Sequence, residues 1–163
     1  MIYIIMGVCG CGKTTISEKL STILNVPCYD ADDFHPEVNI QKMKNGIPLG
    51  DNDRKPWLEL LADKIFIWNK KKGAVLACSA LKESYRQILS KNKNVIFIFL
   101  KGEKSLIIER MQKRNSHYMP ISLLDSQFTD LEVPDYAIKV SIDQPIENII
   151  SDIMKKIEMK KKA

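Results

Sequence analysis

The stretch GVCGCGKTT, residues 7–15, constrains the fold of this 163-residue chain more than any other feature. It follows the apolar run IYIIM at residues 2–6 and precedes a helical pattern. Residues 7–14 match G-x-x-x-x-G-K-[ST] in full, in the strand–loop–helix context that the motif requires. Glycines let the loop turn its backbone N–H groups towards an anion, and the helix presents its positive end to the same anion. The loop predicts a nucleoside triphosphate site, and the alternative is a chance glycine-rich turn.

The motif also assigns roles within the loop. Lys13 is expected to reach the β- and γ-phosphates and to act in catalysis, and the Thr14 hydroxyl is expected to ligate Mg²⁺. We predict that the nucleotide is bound by Gly7, Val8, Cys9, Gly10, Cys11, Gly12, Lys13, Thr14, Thr15 and, on a later helix, Arg110.

Short apolar runs alternate with helical patterns along the rest of the chain. The expected strands are Ile2–Met6, Pro27–Asp30, Ala74–Ser79, Val95–Leu100 and Ala137–Ile142. The runs show little alternation, which is typical of strands buried on both faces. We predict a single α/β domain over residues 1–163. It is a doubly wound, five-stranded parallel sheet with helices on both faces and ligands beyond the carboxyl ends of the strands.

Three helices are predicted from apolar residues that recur with a period of 3.6. Their apolar faces are Ile16, Leu20, Ile23 and Leu24; then Leu58, Leu61, Ile65 and Trp68; then Ile146, Ile149, Ile150, Ile153 and Ile157. Trp57 is expected in the core rather than as a platform for a ligand, because it opens the second of these helices. Residues 34–55 and 114–134 carry no convincing strand, and we interpret them as a substrate-side insertion and a mobile lid.

An acidic stretch, YDADDFHP at residues 29–36, follows the second strand. The third strand ends in Cys78 and Ser79, so the carboxylate for the metal must come from elsewhere. Asp30 and Asp32 are two residues apart and point the same way in an extended segment. We predict that Asp30 holds Mg²⁺ and that Asp32 binds a substrate hydroxyl and accepts its proton. The alternative is a polar turn that caps a helix.

Two arginines stand four residues apart where a helix meets the expected lid. Arg110 is predicted to stack on adenine, and Arg114 to reach the phosphates when the lid closes. A solvated arginine pair on a helix face is the alternative.

Composition argues against several other classes of protein. The net charge of +5 is mild, and its lysines cluster at loops and at the C-terminal end, which favours a solvated surface over a nucleic-acid site. No apolar run approaches the roughly 18 residues of a membrane span. The four cysteines are expected to be reduced thiols in a cytoplasmic protein, without a bound metal.

Five blocks of sequence resemble the gluconate kinases, a family of small-molecule P-loop kinases. They are GVCGCGKT, DADDFHP, NIQKMKNGIPLGDNDRKPWL, CSALKESYR and IDQPIE, in this order over most of the chain. The resemblance implies that ATP phosphorylates the 6-hydroxyl of D-gluconate. It further implies Mg²⁺, a cytoplasmic location and a homodimer.

Substrate residues follow from these blocks. Asp32 and His35 are predicted to bind hydroxyls, and His117 lies in the expected lid. The candidates for the substrate carboxylate are Arg54, Lys82 and Arg86.

Each of these substrate roles has a structural alternative. Arg54 would form an ion pair with Asp51 or Asp53, Arg86 would be solvated, and His35 would cap the helix after Pro36.

Two rival functions remain open at this point. A P-loop kinase acting on a shikimate-like substrate also fits the Asp-x-Asp pattern. A nucleotide-binding regulatory or RNA-binding module is disfavoured, because aromatic and basic residues do not alternate.

Overall fold

The computed structural model describes residues 1–113 and 121–162. Its five strands form one parallel sheet in the order β2-β3-β1-β4-β5. The elements, in chain order, are β1 (Ile2–Met6), α1 (Lys13–Leu24), β2 (Cys28–Asp30), a 3₁₀ helix (Ala31–Phe34), α2 (Glu37–Lys44), α3 (Asp51–Lys70), β3 (Ala74–Ala77), α4 (Glu83–Leu89), β4 (Val95–Lys101), α5 (Lys104–Gln112), α6 (Ile121–Asp130), β5 (Ile138–Ser141) and α7 (Ile146–Lys162). The predicted fold class is confirmed.

Helices cover both faces of the sheet, so every residue of the central strand β1 is buried. Alternate β1 side chains enter two separate cores. Tyr3 and Ile5 pack with α1 and α7, whereas Ile2, Ile4 and Met6 pack with α3 and α4. This two-sided burial explains why the sequence of β1 is continuously apolar.

The outer strands differ from the prediction of buried, non-alternating runs. Exposure alternates along β5, where Lys139 and Ser141 face solvent, and β2 is only half-buried. Both strands are at the edges of the sheet, where helices cover less of the surface.

Two of the predicted helix faces also need correction. Ile23 is 54% exposed and Ile146 is 38% exposed, so neither belongs to the core. Ile146 is the first residue of α7. The buried side of α1 carries Ile16, Ser17, Leu20 and Ser21, so it is rotated away from Ile23. The predicted α3 face, by contrast, is buried throughout.

The two segments without predicted strands are helix and coil wherever they are described. Residues 34–55 comprise α2, a coil and the first turn of α3, and α6 lies within residues 114–134. Among the helices of the described residues, none combines the length and the apolar character needed to cross a membrane.

Candidate active site

The loop between β1 and α1 has the backbone that its glycines predict. Gly10 and Gly12 have φ angles of 79° and 98°, in the left-handed region that glycine tolerates best. A Cβ added at Gly10 would lie 2.8 Å from the Cγ of Met111. Burial raises the pKa of the Cys9 and Cys11 thiols, so both are protonated at neutral pH and add no charge to the loop.

A cavity of about 200 Å³ opens beside this loop. It is lined by Cys9, Gly10, Gly12, Lys13, Thr14, Thr15, Asp30, Asp32, Ala77, Cys78 and Ser79. The Lys13 ammonium donates to the carbonyl oxygens of Gly7 and Val8, both at 3.0 Å. Helix α1 starts at Lys13, and no side chain caps its first turn. A cation and the positive end of a helix therefore meet at one cavity, which suits a phosphate chain.

The two predicted carboxylates lie in the same cavity. Asp30 ends β2, and its Oδ1 accepts a hydrogen bond from the Asp32 backbone N at 2.9 Å. Asp30 thus caps the 3₁₀ helix and also lines the cavity. The capping alternative is correct for Asp30, but it does not remove this carboxylate from the cavity.

Asp32 is open to water within the cavity, yet its pKa is raised. Its side chain is 82% exposed. Protein on the cavity walls displaces bulk solvent, and this partial desolvation is the largest cause of the raised pKa; the Asp30 charge adds to it and Lys13 opposes it. A raised pKa makes a carboxylate a stronger proton acceptor.

Asp30 and Asp32 line the cavity at the loop although their strand, β2, is not next to β1. Strand β3 lies between β1 and β2, and its end contributes Cys78 and Ser79 to the cavity but no carboxylate. The Gly7 backbone N donates to the Ser79 carbonyl oxygen at 3.3 Å, which ties the loop to this strand end.

His35 lies at the rim of the carboxylate pair. Its ring stacks on Trp57 with a centroid distance of 4.1 Å, and its Nε2 lies 3.8 Å from Asp32 Oδ1. Trp57 is 7% exposed, which confirms its place in the core. The capping alternative for His35 is wrong, because α2 is preceded by Pro36 and has no side-chain cap.

Arg54 and Lys82 meet around the Tyr85 hydroxyl. Arg54 Nη1 donates to this hydroxyl at 3.0 Å, and the hydroxyl donates to Asp51 Oδ1 at 2.6 Å. Lys82 Nζ also contacts Asp51, at 3.3 Å. These hydrogen bonds, Tyr85 first, lower the pKa of Asp51.

The ion-pair alternative for Arg54 is not what the structure has. Asp51 pairs with Lys82, and Asp53 pairs with Lys42 at 2.7 Å. Arg54 uses one of its five N–H donors on a neutral phenol in the described part of the chain. It is therefore the cation of this cluster that is best able to receive a carboxylate.

The prediction that Arg86 binds substrate is wrong, and so is its solvated alternative. Arg86 is 1% exposed. Its five N–H groups donate to the carbonyl oxygens of Ala80, Leu81 and Glu132, to Glu83 Oε2 and to the Tyr136 hydroxyl. No donor is left for a ligand, so Arg86 is a structural residue.

The predicted lid arginines are only partly described. Arg110 Nη2 donates to the Ile142 carbonyl oxygen at 2.7 Å, beyond the end of β5, and is not among the residues that line the cavity. Its stacking on adenine stays a prediction. Arg114 and His117 lie outside the described residues.

Comparisons with known proteins place this chain in a family. The family model for shikimate kinase matches residues 9–157. The thermosensitive gluconokinase of Escherichia coli K12 is 43% identical over 153 residues, which cover 90% of this chain and 82% of the relative. A crystal structure of a gluconokinase from Sinorhizobium meliloti 1021 has a TM-score of 0.86 at 37% identity, covering 94% of this chain and 89% of that chain.

This chain belongs to the gluconokinase family. A shikimate kinase from Aquifex aeolicus has a TM-score of 0.60 at 20% identity, covering 98% of each chain, which shows a shared fold alone. The match to the family model for shikimate kinase and the fold shared with this shikimate kinase both indicate the P-loop kinase architecture.

The structure adds three residues to the site that the motifs do not predict. Gln127 on α6 accepts a hydrogen bond from the Cys9 backbone N at 2.6 Å, and no local pattern predicts it. Tyr85 and Asn39 lie inside the sequence blocks that resemble the family, and that position was the available signal. Both contact predicted site residues.

Proposed function

We propose that this protein transfers the γ-phosphoryl group of ATP to the 6-hydroxyl of D-gluconate, giving 6-phospho-D-gluconate and ADP. One observation carries the proposal: Lys13, Asp30 and Asp32 line a single cavity at the glycine loop of a chain in the gluconokinase family.

The residues present suit ATP and Mg²⁺. The loop backbone, the α1 N-terminus and Lys13 form a cationic cradle for phosphates. Thr14 and Asp30 supply a hydroxyl and a carboxylate, the hard oxygen donors that Mg²⁺ prefers, and would hold the ion. When bound, Mg²⁺ would neutralise the charge that builds on the phosphates during transfer.

Asp32 is the proton acceptor in this mechanism. Its carboxylate lies in the same cavity as Lys13, and its raised pKa suits a base. It accepts the proton of the substrate hydroxyl as that oxygen attacks the γ-phosphorus. Lys13 stabilises the negative charge on the transferring group.

Arg54 binds the carboxylate at the other end of gluconate. It is half-buried near His35, and its charge contributes to the lowered pKa of that residue. A guanidinium presents paired donors to a carboxylate. Lys82 is the weaker candidate, because Asp51 already offsets its charge.

The two predicted segments have roles in this proposal. Residues 34–55 carry His35 and Arg54 to the substrate side, and residues 114–134 form a lid whose helix α6 reaches the loop through Gln127. A homodimer and a cytoplasmic location, which the family resemblance implies, are part of the same proposal.

A substrate panel tests the function. ADP release is measured with gluconate, shikimate, glycerate and nucleoside monophosphates, with and without Mg²⁺. Gluconate is expected to give the highest kcat/KM. Faster turnover of shikimate would overturn the proposal in favour of the rival kinase.

A pair of variants tests the division between the carboxylates. Asp32→Asn removes the base and is expected to lower kcat by roughly 10²–10⁴-fold. Asp30→Asn is expected to raise the Mg²⁺ concentration needed for half-maximal rate. Equal effects of both variants on Mg²⁺ dependence would contradict the assigned roles.

A further inference from the structure

Asn39 is a buried polar side chain that the mechanism above leaves without a role. It lies on α2 and is 1% exposed. Its Nδ2 donates to the Asp53 carbonyl oxygen at 2.9 Å and lies 3.2 Å from His35 Nδ1. Its Oδ1 is buried without a hydrogen-bond partner among the described residues. The amide therefore forms hydrogen bonds through its NH₂ group, whereas its oxygen forms none among the described residues.

The orientation of the Asn39 amide follows from its neighbours. The Asp53 carbonyl oxygen only accepts hydrogen bonds, so the group that faces it must be the NH₂. The reversed amide would bring two oxygens together and lose this bond. The NH₂ group carries two hydrogens, which leaves the second one available to His35 Nδ1, 3.2 Å from Nδ2.

This contact decides which nitrogen of His35 carries the proton. A nitrogen that accepts from Asn39 cannot itself be protonated, so the proton of the neutral ring is on Nε2. The ring is held in place by its stack on Trp57, whose Nε1 donates to the Ala31 carbonyl oxygen at 2.8 Å. Its Nε2 is the nitrogen that lies 3.8 Å from Asp32 Oδ1.

The ring also stays neutral near pH 7. The His35 side chain is 4% exposed. Burial, with a second contribution from the Arg54 charge, lowers its pKa to about 4. A neutral ring with a fixed Nε2–H is a hydrogen-bond donor towards the carboxylate side of the cavity.

We propose that Asn39 is a positioning residue that fixes the tautomer of His35, so that Nε2–H donates to a substrate hydroxyl beside Asp32. The identity of the substrate rests on the proposed function, whereas the tautomer does not. A hydroxyl oxygen that accepts from His35 turns its own proton towards Asp32. His35 is then a donor that orients the nucleophile, and Asp32 remains the base.

Nitrogen-15 NMR of the histidine side chains tests the tautomer directly. The chain has two histidines, and His35→Gln identifies which signals belong to His35. We expect a pyridine-type signal for Nδ1 and a pyrrole-type signal for Nε2 at neutral pH. A protonated Nδ1 in the wild-type protein would overturn the proposal.

The Asn39→Ala variant tests the cause. Without the amide donor, Nδ1 is free to carry the proton, and we expect the His35 signals to shift towards a mixture of tautomers. Gln41→Ala is the matched control, because it removes an exposed amide from the same helix. A folded Asn39→Ala protein with wild-type His35 signals would refute the role of Asn39.

Two substitutions of His35 keep the proposal testable if Asn39→Ala does not fold. The amide nitrogen of His35→Gln reaches the place of Nε2, whereas that of His35→Asn reaches the place of Nδ1, and both lose the stack on Trp57. We expect the KM for gluconate to be roughly 3- to 10-fold higher for His35→Asn than for His35→Gln, because His35→Asn lacks one neutral hydrogen bond to the substrate. The KM for ATP should be the same in both.

The outcomes separate this proposal from the proposed function. Equal gluconate KM values for the two His35 variants would overturn the donor role of Nε2. A wild-type protein that fails to phosphorylate gluconate would overturn the proposed function, while the NMR result would still decide the tautomer.

Discussion

Replacing Arg86 by methionine tests the strongest correction that the structure makes. Methionine keeps the length of the side chain but removes every donor. In the folded protein the guanidinium joins the turn before α4 to the segment after α6: it donates to Ala80 at 2.6 Å and to Glu132 at 2.7 Å. The substitution leaves these carbonyl oxygens, and that of Leu81, without this donor. The Glu83 carboxylate also loses its ion-pair partner.

The expected loss of stability is large because the group is buried. Each orphaned buried acceptor costs about 1–3 kcal/mol, and breaking a buried charged pair costs about 3–5 kcal/mol. Glu83 is partly exposed and the acceptors share one network, so we take about 3–5 kcal/mol for the whole change. For a chain of this length, each kcal/mol lowers Tm by roughly 2–4 °C. Arg86→Met is therefore expected to melt roughly 6–20 °C below the wild type.

Two measurements make the test decisive. Thermal unfolding followed by circular dichroism gives Tm, and the KM for gluconate is measured well below the Tm of the variant. Lys19→Met is the control, because it removes an exposed cation and should change stability by about 0.5 kcal/mol or less. An Arg86→Met protein with the wild-type Tm and a raised gluconate KM would refute the structural role and return Arg86 to the substrate site.

Three further predictions follow from the site. Lys13→Ala is expected to lower kcat by roughly 10²–10³-fold in a steady-state assay, because it removes one stabiliser of the transferring phosphoryl group, and full activity would contradict a catalytic loop. Arg54→Ala is expected to raise the KM for gluconate by roughly 10- to 150-fold with the KM for ATP unchanged. A normal gluconate KM with a lowered Tm would instead make Arg54 structural. The pKa of His35 falls from 6.5 in the unfolded chain to about 4 in the folded protein. Between these values only the unfolded chain binds the proton, so the His35 contribution to stability declines as pH falls from 6.5 towards 4 and is constant below that range. Denaturant unfolding should show this slope, at most about 1.4 kcal/mol per pH unit, in the wild type and lose it in His35→Gln. Parallel pH profiles for the two proteins would argue against a buried neutral ring.

The sequence by itself determines the features that depend only on residues close together in the chain. The loop at residues 7–14 is contiguous, so its glycine spacing dictates its backbone, and Lys13 comes with it. The sequence places Asp30 and Asp32 directly after a strand, whereas the strand order that brings them to the loop is set by the tertiary structure. The apolar runs predict all five strands, each with bounds within two residues of those in the structure.

Only the tertiary structure decides the burial and the hydrogen bonds of side chains whose partners are distant in the chain. The sequence makes Arg86 a candidate for the substrate carboxylate, but its acceptors include Glu132 and Tyr136, which lie 46 and 50 residues further on. Asn39 acquires its orientation from the Asp53 carbonyl oxygen, 14 residues away. Apolar periodicity locates the buried side of a helix only approximately. Ile23 is expected in the core, but the buried side of α1 includes Ser17 and Ser21 and leaves Ile23 exposed. Burial, and with it the charge and hydrogen-bond partners of a side chain, depends on which surfaces meet after folding, and no local spacing records that.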